Sequence, residues 1–289
     1  MNATCLACHF KKQVETAQTL GDGDTATAFA KALMQAYLDA PDDAASPYFS
    51  PIVSQLLAQF YGITEDRYLE EKRLSNQFVL SRMDTIRQIV QAQPDPVYAG
   101  LQFAILGNYL DFSALKGQVS FEKLEQMLAM GLEMELEQSS YHALCQDLAN
   151  SRNLLYLTDN AGEIGFDRVL AEVIHTRYPE LQITFMVRGG VISNDATRAD
   201  AQAVGIPFPV MDSGAAIGGT AISRCSQEAQ AAIREADVIL AKGMGNTESM
   251  YGCGYNVYYA FLVKCDRFIQ FFNKPKMTPM FIRDKAEEQ

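Results

Sequence analysis

Residues whose types suit metal or phosphate chemistry follow three short apolar runs in the second half of the chain. The three segments read DNAGE at 159–163, RGGVISND at 188–195 and KGMGNTE at 242–248. Asp159, Asn160 and Asp195 offer two carboxylates and an amide oxygen, the hard oxygen ligands that Mg²⁺ and Mn²⁺ accept. The 36 residues between the two aspartates are about one βαβ unit, so both carboxylates can meet at one sheet edge.

The same segments also carry features that suit an anion. Glycines let backbone N–H groups approach closely, a helix starting near Gly162 points its positive end at the same place, and Lys242 adds a point charge. Asp and Asn after a strand are also common helix caps, and Gly is common in βα loops. One such segment alone favours capping, whereas three in one sheet favour an anion or metal site.

The elements that must position these segments differ between the two halves. Residues 1–150 show helical spacing, with helices predicted at 52–60, 66–91, 97–110, 120–132 and 134–149 besides two earlier ones. From residue 151 onward, short apolar runs alternate with helices. The predicted strands are 153–158, 183–187, 207–211, 238–241 and 257–263. This alternation predicts an α/β fold with a mostly parallel sheet, whose ligands bind at the carboxyl ends of the strands.

Composition narrows the class of protein. The 289 residues are 48% hydrophobic and 20% charged, as in a globular protein. The 24 Lys and Arg against 35 Asp and Glu give a net charge of −11, which disfavours non-specific binding to nucleic acid. No apolar run has the ~18 residues of a membrane span, and no signal peptide is evident. With six cysteines, we expect a cytoplasmic protein with reduced thiols.

The cysteines leave several interpretations open. Cys5 and Cys8 form a CxxC pair followed by His9, a pattern also used for haem attachment, although that chemistry needs export. With Cys265 as a third thiolate, the pair could instead belong to a structural zinc site. Inert buried thiols are an equally good interpretation. With three histidines in the whole chain, catalysis by a histidine base is not expected.

Taken together, the motifs resemble the metal-dependent damage-control phosphatase family, formerly a domain of unknown function. The resemblance rests on DNAGE, GGVISNDATRADA, KGMGNTE and the stretch GNYLDF, which looks like that family's Gly-Asn-x-x-Asp-Phe signature. The CxxC pair and Lys264-Cys265 resemble its mainly prokaryotic branch. The resemblance implies a helical N-terminal region on a Rossmann-like α/β domain, which we divide at 1–150 and 151–289.

The resemblance also implies roles for individual residues. Metal ligands map to Asp159, Asn160 and Asp195, and substrate contacts to Lys242, Gly243, Asn246, Glu248, Asn108 and Asp111. Glu163 or Glu248 is expected to position the attacking water, and an aspartyl-phosphate route through Asp159 stays open. Thr247 stands where the family would have an aromatic residue. The Arg-Thr-x-Lys signature of another branch is absent.

The function expected from all this is metal-dependent hydrolysis of small phosphorylated metabolites, such as sugar phosphates or damaged phospho-metabolites. Mn²⁺, Mg²⁺, Co²⁺ and Ni²⁺ all suit the oxygen ligands. One alternative is a carboxyl methyltransferase that uses S-adenosylmethionine, which usually needs an acidic residue after the second strand. Another is a non-catalytic protein that binds a metabolite.

Overall fold

The computed structural model describes residues 1–41, 44–64, 66–109, 126 and 129–284. The first half of the chain is helical. Its α-helices are α1 Ala3–Leu20, α2 Gly23–Leu38, α3 Ser50–Tyr61, α4 Leu69–Leu80, α5 Met83–Gln91, α6 Pro96–Leu106 and α7 Gln138–Asn150. Several begin where a side chain satisfies the first free N–H groups: Asn2 accepts from Cys5 at 2.9 Å and Asp22 from Thr25 at 2.7 Å.

Strands and helices alternate in the second half. The strands are β1 Asn153–Leu157, β2 Gln182–Val187, β3 Val210–Asp212, β4 Val238–Lys242, β5 Val257–Leu262 and β6 Pro279–Asp284. The helices between them are α8 Glu163–Arg177, α9 Arg198–Ala203, α10 Gln227–Glu235, α11 Gly243–Met250 and α12 Asp266–Phe272. In the described residues, no helix has the length and apolarity needed to span a bilayer.

The six strands form one sheet in the order β3-β2-β1-β4-β5-β6. All neighbours are parallel except β6, which runs antiparallel to β5. The predicted α/β class with a mostly parallel sheet is therefore confirmed. The order of the first five strands reverses between β1 and β4, and in doubly wound sheets that switch point is where ligands bind.

Side-chain alternation along the central strands gives the sheet two buried faces. Leu154 and Tyr156 of β1 share one face with Val238 and Leu240 of β4, in the main cluster with α6 and α8. The intervening residues face a second cluster, which contains α10 and α12. Because β1 and β4 are covered on both faces, their register is fixed by burial.

The helical half divides into two parts. Side chains of α4 to α7, from Val79 to Leu148, pack in the main cluster with the sheet. Helices α1 to α3 have a separate small core that includes Phe29, Leu33 and Val53. The main cluster thus draws on both sides of residue 150, and the domain division at that point stays a prediction.

Three predicted elements differ from the observed ones, and one observed strand was not predicted. The predicted helix 66–91 is two helices, separated at Ser81 and Arg82. The third strand starts at Val210 rather than at 207, since Pro207 and Pro209 have no N–H to donate. The segment KGMGNTE forms the end of β4 and most of α11 rather than a loop, and β6 was not predicted. The predicted helix 120–132 lies largely outside the described residues.

Candidate functional site

The loops after β1 and β2 are pinned together at the switch point. Asn160 and Asp195 form an isolated antiparallel bridge. Ala196 donates its N–H to the carbonyl of Asp159 at 2.8 Å, and Ala161 donates to that of Asn194 at 2.8 Å. These backbone bonds hold Asp159, Asn160 and Asp195 side by side, at the strand edge where the sequence predicted that they meet.

A cavity of about 460 Å³ opens at this edge of the sheet. It is lined by five residues of the predicted site: Asn108, Asp159, Asn160, Asp195 and Glu248. The structure therefore brings these five together. Four other predicted residues, Glu163, Lys242, Gly243 and Asn246, do not line it. Asp111 lies outside the described residues.

Asp159 is nearly buried and sits among like charges. Its Oδ2 accepts hydrogen bonds from the amides of Asn108 at 3.1 Å and Asn160 at 2.8 Å. Burial, with the negative charges of Glu163 and Asp195, raises the pKa of Asp159 to about 7. Burial also raises the pKa of Asp195. Burial and like charges therefore disfavour the ionised form of both carboxylates, against the opposing charge of Arg188.

Arg188 is the site residue that the sequence analysis did not assign. It follows β2, is 2% exposed, and places its Nε 2.7 Å from Asp195 Oδ2 and its Nη2 3.6 Å from Asp159 Oδ1. Its Nη1 donates to Asn246 Oδ1 at 2.9 Å. A cation that directly follows an apolar strand and precedes two glycines was the available sequence signal. Since Arg188 directly follows β2, the acidic residue that the methyltransferase alternative needs at the end of this strand is missing.

The expectation that the Lys242 ammonium reaches the pocket is wrong. Lys242 is fully buried, and its three N–H donors go to Ala104 O at 2.7 Å, Glu163 at 2.5 Å and Asp167 at 2.8 Å. Lys242 shares a strand face with Val238 and Leu240, so its side chain points toward α6 and α8. Although burial opposes the charge, the two carboxylates raise the pKa of Lys242.

Glu163 is likewise inside the protein rather than in the cavity. One oxygen meets Lys242, and the other accepts from Asn108 at 2.9 Å and Asn160 at 3.0 Å. Despite burial, the Lys242 charge lowers the pKa of Glu163, so this carboxylate is ionised. Its observed role is to orient two amides that also hold Asp159. The expectation that Glu163 positions a water in the cavity is not what this geometry shows.

Asn246 and Gly243 lie behind the residues that line the cavity and hold them in place. The Asn246 amide donates to Thr158 O at 3.1 Å and Lys242 O at 2.7 Å, while its oxygen accepts from Arg188 and Thr220. Gly243 has a φ of +78°, and a Cβ there would collide with the Asp159 carboxylate. Both residues position the machinery, and neither contributes to the cavity wall.

Two other cations line the cavity that Lys242 was expected to reach. Lys264 and Arg267 line the cavity, and in the described residues neither forms an ion pair with an Asp or Glu. The Lys264 charge acts on Asp159, where it opposes the rise in that carboxyl's pKa. On the same wall, burial raises the pKa of Glu248 against the opposing charge of Arg267.

The predicted thiol cluster is brought to the cavity as well. Cys5 and Cys8 of α1 and Cys265 at the start of α12 all line it. However, the described part of the chain contains no group of three or more Cys, His, Asp or Glu that could hold a metal ion. The zinc interpretation therefore finds no support, and the three sulfurs are free thiols of the cavity wall.

The charges around Asp159 fit a divalent cation. Four carboxylates share this part of the core with two buried cations, namely Asp159, Glu163, Asp167 and Asp195 with Arg188 and Lys242. If all ionise, the four carboxylates exceed these two cations by two charges, and Lys264 on the cavity wall is a further cation that acts on Asp159. Asp159, Asn160 and Asp195 are the members that reach the cavity. Two carboxylates and an amide, completed by water and substrate oxygens, are a usual Mg²⁺ or Mn²⁺ set.

Comparison with known sequences gives one family match over nearly the whole chain. The damage-control phosphatase ARMT1-like domain matches residues 1–278. An uncharacterized protein of Methanocaldococcus jannaschii is 30% identical over 272 residues, covering 90% of this chain and 88% of that protein. A protein of Pyrococcus horikoshii named as a damage-control phosphatase is 29% identical over 232 residues, covering 79% of this chain and 78% of its own.

A solved structure shares the fold. The crystal structure of a DUF89 family protein from Pyrococcus horikoshii superposes with a TM-score of 0.85 at 26% identity, covering 99% of each chain. A likeness of that extent includes the helical half as well as the sheet.

Proposed function

The chain belongs to the damage-control phosphatase ARMT1-like family, and from that premise we propose that it is a metal-dependent phosphatase acting on small phosphate monoesters. The observation that carries the metal dependence is the buried charge cluster. Its four carboxylates exceed its two buried cations, and its cavity-facing members are oxygen donors. Sugar phosphates and damaged phospho-metabolites are the proposed substrates.

The proposal assigns a role to each residue of the cavity wall that belongs to the site. Asp159, Asn160 and Asp195 would hold the divalent ion, which supplies positive charge to a phosphate oxygen when bound. Lys264 at the cavity wall would take a second phosphate oxygen, the role that Lys242 cannot fill. Glu248 faces the same cavity and would orient the attacking water.

The residues behind the wall fix this arrangement. Glu163 orients the amides of Asn108 and Asn160, and Arg188 holds the Asp195 carboxylate in place. These hydrogen bonds orient the proposed metal ligands, and the residues that form them do not contact the substrate. Direct attack by water needs no covalent intermediate, and the proposal uses none.

The test is hydrolysis of sugar phosphates by the purified protein after chelation, with Mn²⁺, Mg²⁺, Co²⁺ or Ni²⁺ added back. We expect no turnover without metal and recovery with at least one ion. Asp195→Asn should lower kcat at least ~100-fold, since it removes a charged ligand, and should weaken Mn²⁺ binding measured by calorimetry. Asp84→Asn is the control, because that side chain is 91% exposed. Full turnover in chelator would contradict the proposal.

A further inference from the structure

A second cavity of about 470 Å³ adjoins the first. The two share a wall that includes Lys12 and Gln13 of α1 together with Ile192 and Ser193 of the loop after β2. Helix α1 runs along both: Cys5 lines the first and Thr16 the second. The eleven residue-to-residue steps from Cys5 to Thr16 span ~16 Å at the helical rise. The two cavities therefore lie against each other along α1, which is the placement that a ligand longer than a phosphate and one small group would need to reach both.

The second cavity carries positive charge of its own. Arg67 lines it and Lys12 lies on the shared wall. Within the described residues, neither forms an ion pair with a carboxylate. Asp66 also lines this cavity, and Lys72 lies 3.5 Å from it but is shared with Asp200 at 2.9 Å. Two cations with no ion-pair partner in the described part of the chain therefore line one cavity, in a protein whose net charge is −11.

The rest of the lining suits a carbon skeleton. Val53, Leu57 and Ile63 provide apolar surface, and Tyr68 adds a ring. Hydroxyls of Ser50 and Ser54 lie on the same wall. A mixed apolar and hydroxyl lining with two exposed cations matches a polyol chain that ends in a negative group.

From these contacts we infer that the substrate is an elongated phosphate ester with a second anionic group, a phosphate or a carboxylate, at its far end. The second group binds to Arg67 and Lys12, while the ester to be hydrolysed lies beside Asp159. This inference rests on the proposed phosphatase function and adds the chemical class of the substrate to it. Six-carbon sugar bisphosphates and phosphorylated sugar acids have this form.

The test compares matched pairs of esters by kcat/KM. Fructose 1,6-bisphosphate is paired with fructose 6-phosphate, and 6-phosphogluconate with glucose 6-phosphate. We expect at least one doubly anionic ester to be preferred about tenfold, mainly through a lower KM. The first pair reports a phosphate at the far end and the second a carboxylate. A twofold preference for the bisphosphate is discounted, because it has two ester groups.

The variant Arg67→Gln should reduce that preference at least about fivefold. Arg73→Gln is the matched control, because Arg73 is half-exposed, pairs with Glu70 and lines neither cavity. Equal preference in the two variants, or none in the unaltered protein, would overturn the inference.

Binding measured by calorimetry in chelator separates this inference from the proposed function. Tighter binding of the doubly anionic ester, lost in Arg67→Gln, supports the second site even if no ester is hydrolysed. Hydrolysis of simple monophosphates without preference would overturn the second site alone.

Discussion

Lys242 and Arg188 are buried cations that each pair with two of the four carboxylates of the buried charge cluster. Lys242 lies between Glu163 and Asp167, whereas Arg188 lies between Asp195 and Asp159. Neither is exposed enough to meet a substrate. Their common effect is to oppose the protonation that burial favours and to fix the carboxylates in place, as a site that binds a cation requires.

Replacing Lys242 tests its structural role. We expect Lys242→Met to lower the free energy of unfolding by about 3–5 kcal/mol, because it leaves Glu163 and Asp167 buried without their partner. Urea unfolding followed by circular dichroism measures the loss. The control is Lys11→Met, whose lysine is 77% exposed and should matter by less than ~0.5 kcal/mol. A stable Lys242→Met protein with weakened phosphate inhibition would instead place this ammonium at the substrate.

The sequence predicted the position of some site residues and not of others. The difference depends on whether a residue lies in the loop beyond a strand or within the strand itself. Asp159, Asn160 and Asp195 sit beyond the last strand residue, in loops, where chain order alone points to the sheet edge. Lys242 is the last residue of β4, so its direction is set by the pleat, and it falls on the face of Val238 and Leu240. Counting alternate residues along β4 would have placed it in the core.

At the scale of elements, α1 closes both cavities with one face. Cys5, Cys8, His9 and Lys12 recur at helical spacing and all line the first cavity. On the inner side, His9 meets the Tyr37 hydroxyl of α2 at 2.6 Å and the Phe49 ring at 5.9 Å. The helical spacing of apolar residues predicted this helix. Its position over the strand ends was not predicted, because it depends on contacts between segments that are distant in the sequence.

His9 makes the attachment of α1 sensitive to pH. Burial, with the nearby Lys12 charge, lowers the pKa of His9 to about 4, whereas an unfolded histidine titrates near 6.5. The unfolded chain therefore binds the proton first, so this stability is full above pH ~6.5 and is lost as the pH falls toward 4. Its size is on the order of 1 kcal/mol, given the partial exposure of the side chain.

The pH dependence is measured by thermal unfolding between pH 7 and 4. The Tm of the unaltered protein should fall more steeply than that of His9→Gln, which keeps a polar side chain without titrating there. The exposed His142, replaced in His142→Gln, is the control and should leave the slope as it was. Parallel curves for the His9 variant and the unaltered protein would contradict the expectation.

The strands show the limits of prediction at this scale. Apolar runs identified β1, β2, β4 and β5, since buried parallel strands are hydrophobic throughout. The last strand, β6, begins with Pro279 and contains Arg283 and Asp284, so it lacks that signal. Its antiparallel pairing with β5 comes from tertiary contact, in which Arg283 meets Asp147 of α7 at 2.6 Å.

Across the whole molecule, stability should be uneven. The strands β1 and β4 are buried on both faces of the sheet, whereas α1 to α3 rest on the small cluster around Phe29 and Leu33. The cavities lie between α1 and the strand ends. A ligand in them contacts both parts and should therefore stabilise the helical part most.

Native-state hydrogen exchange measures this difference. We expect amides of α1 to α3 to exchange at least ~10-fold faster than those of β1 and β4, because local opening there exposes less apolar surface. Mn²⁺ with inorganic phosphate should slow exchange in α1 but not in α7, which lines neither cavity. Equal protection in all these elements would mean that the molecule opens only as one unit.

The glycines under the site decide which positions can be randomised to change its specificity. A Cβ at Gly243 would occupy the space of the Asp159 carboxylate, and one at Gly245 would meet the carbonyl of Gly218. A library that varies these two positions would mostly return inactive clones, whatever substrate is selected. Diversity is better placed at Arg67 and Gln13, on the cavity walls. Substrate choice and the chemical step could then be engineered separately.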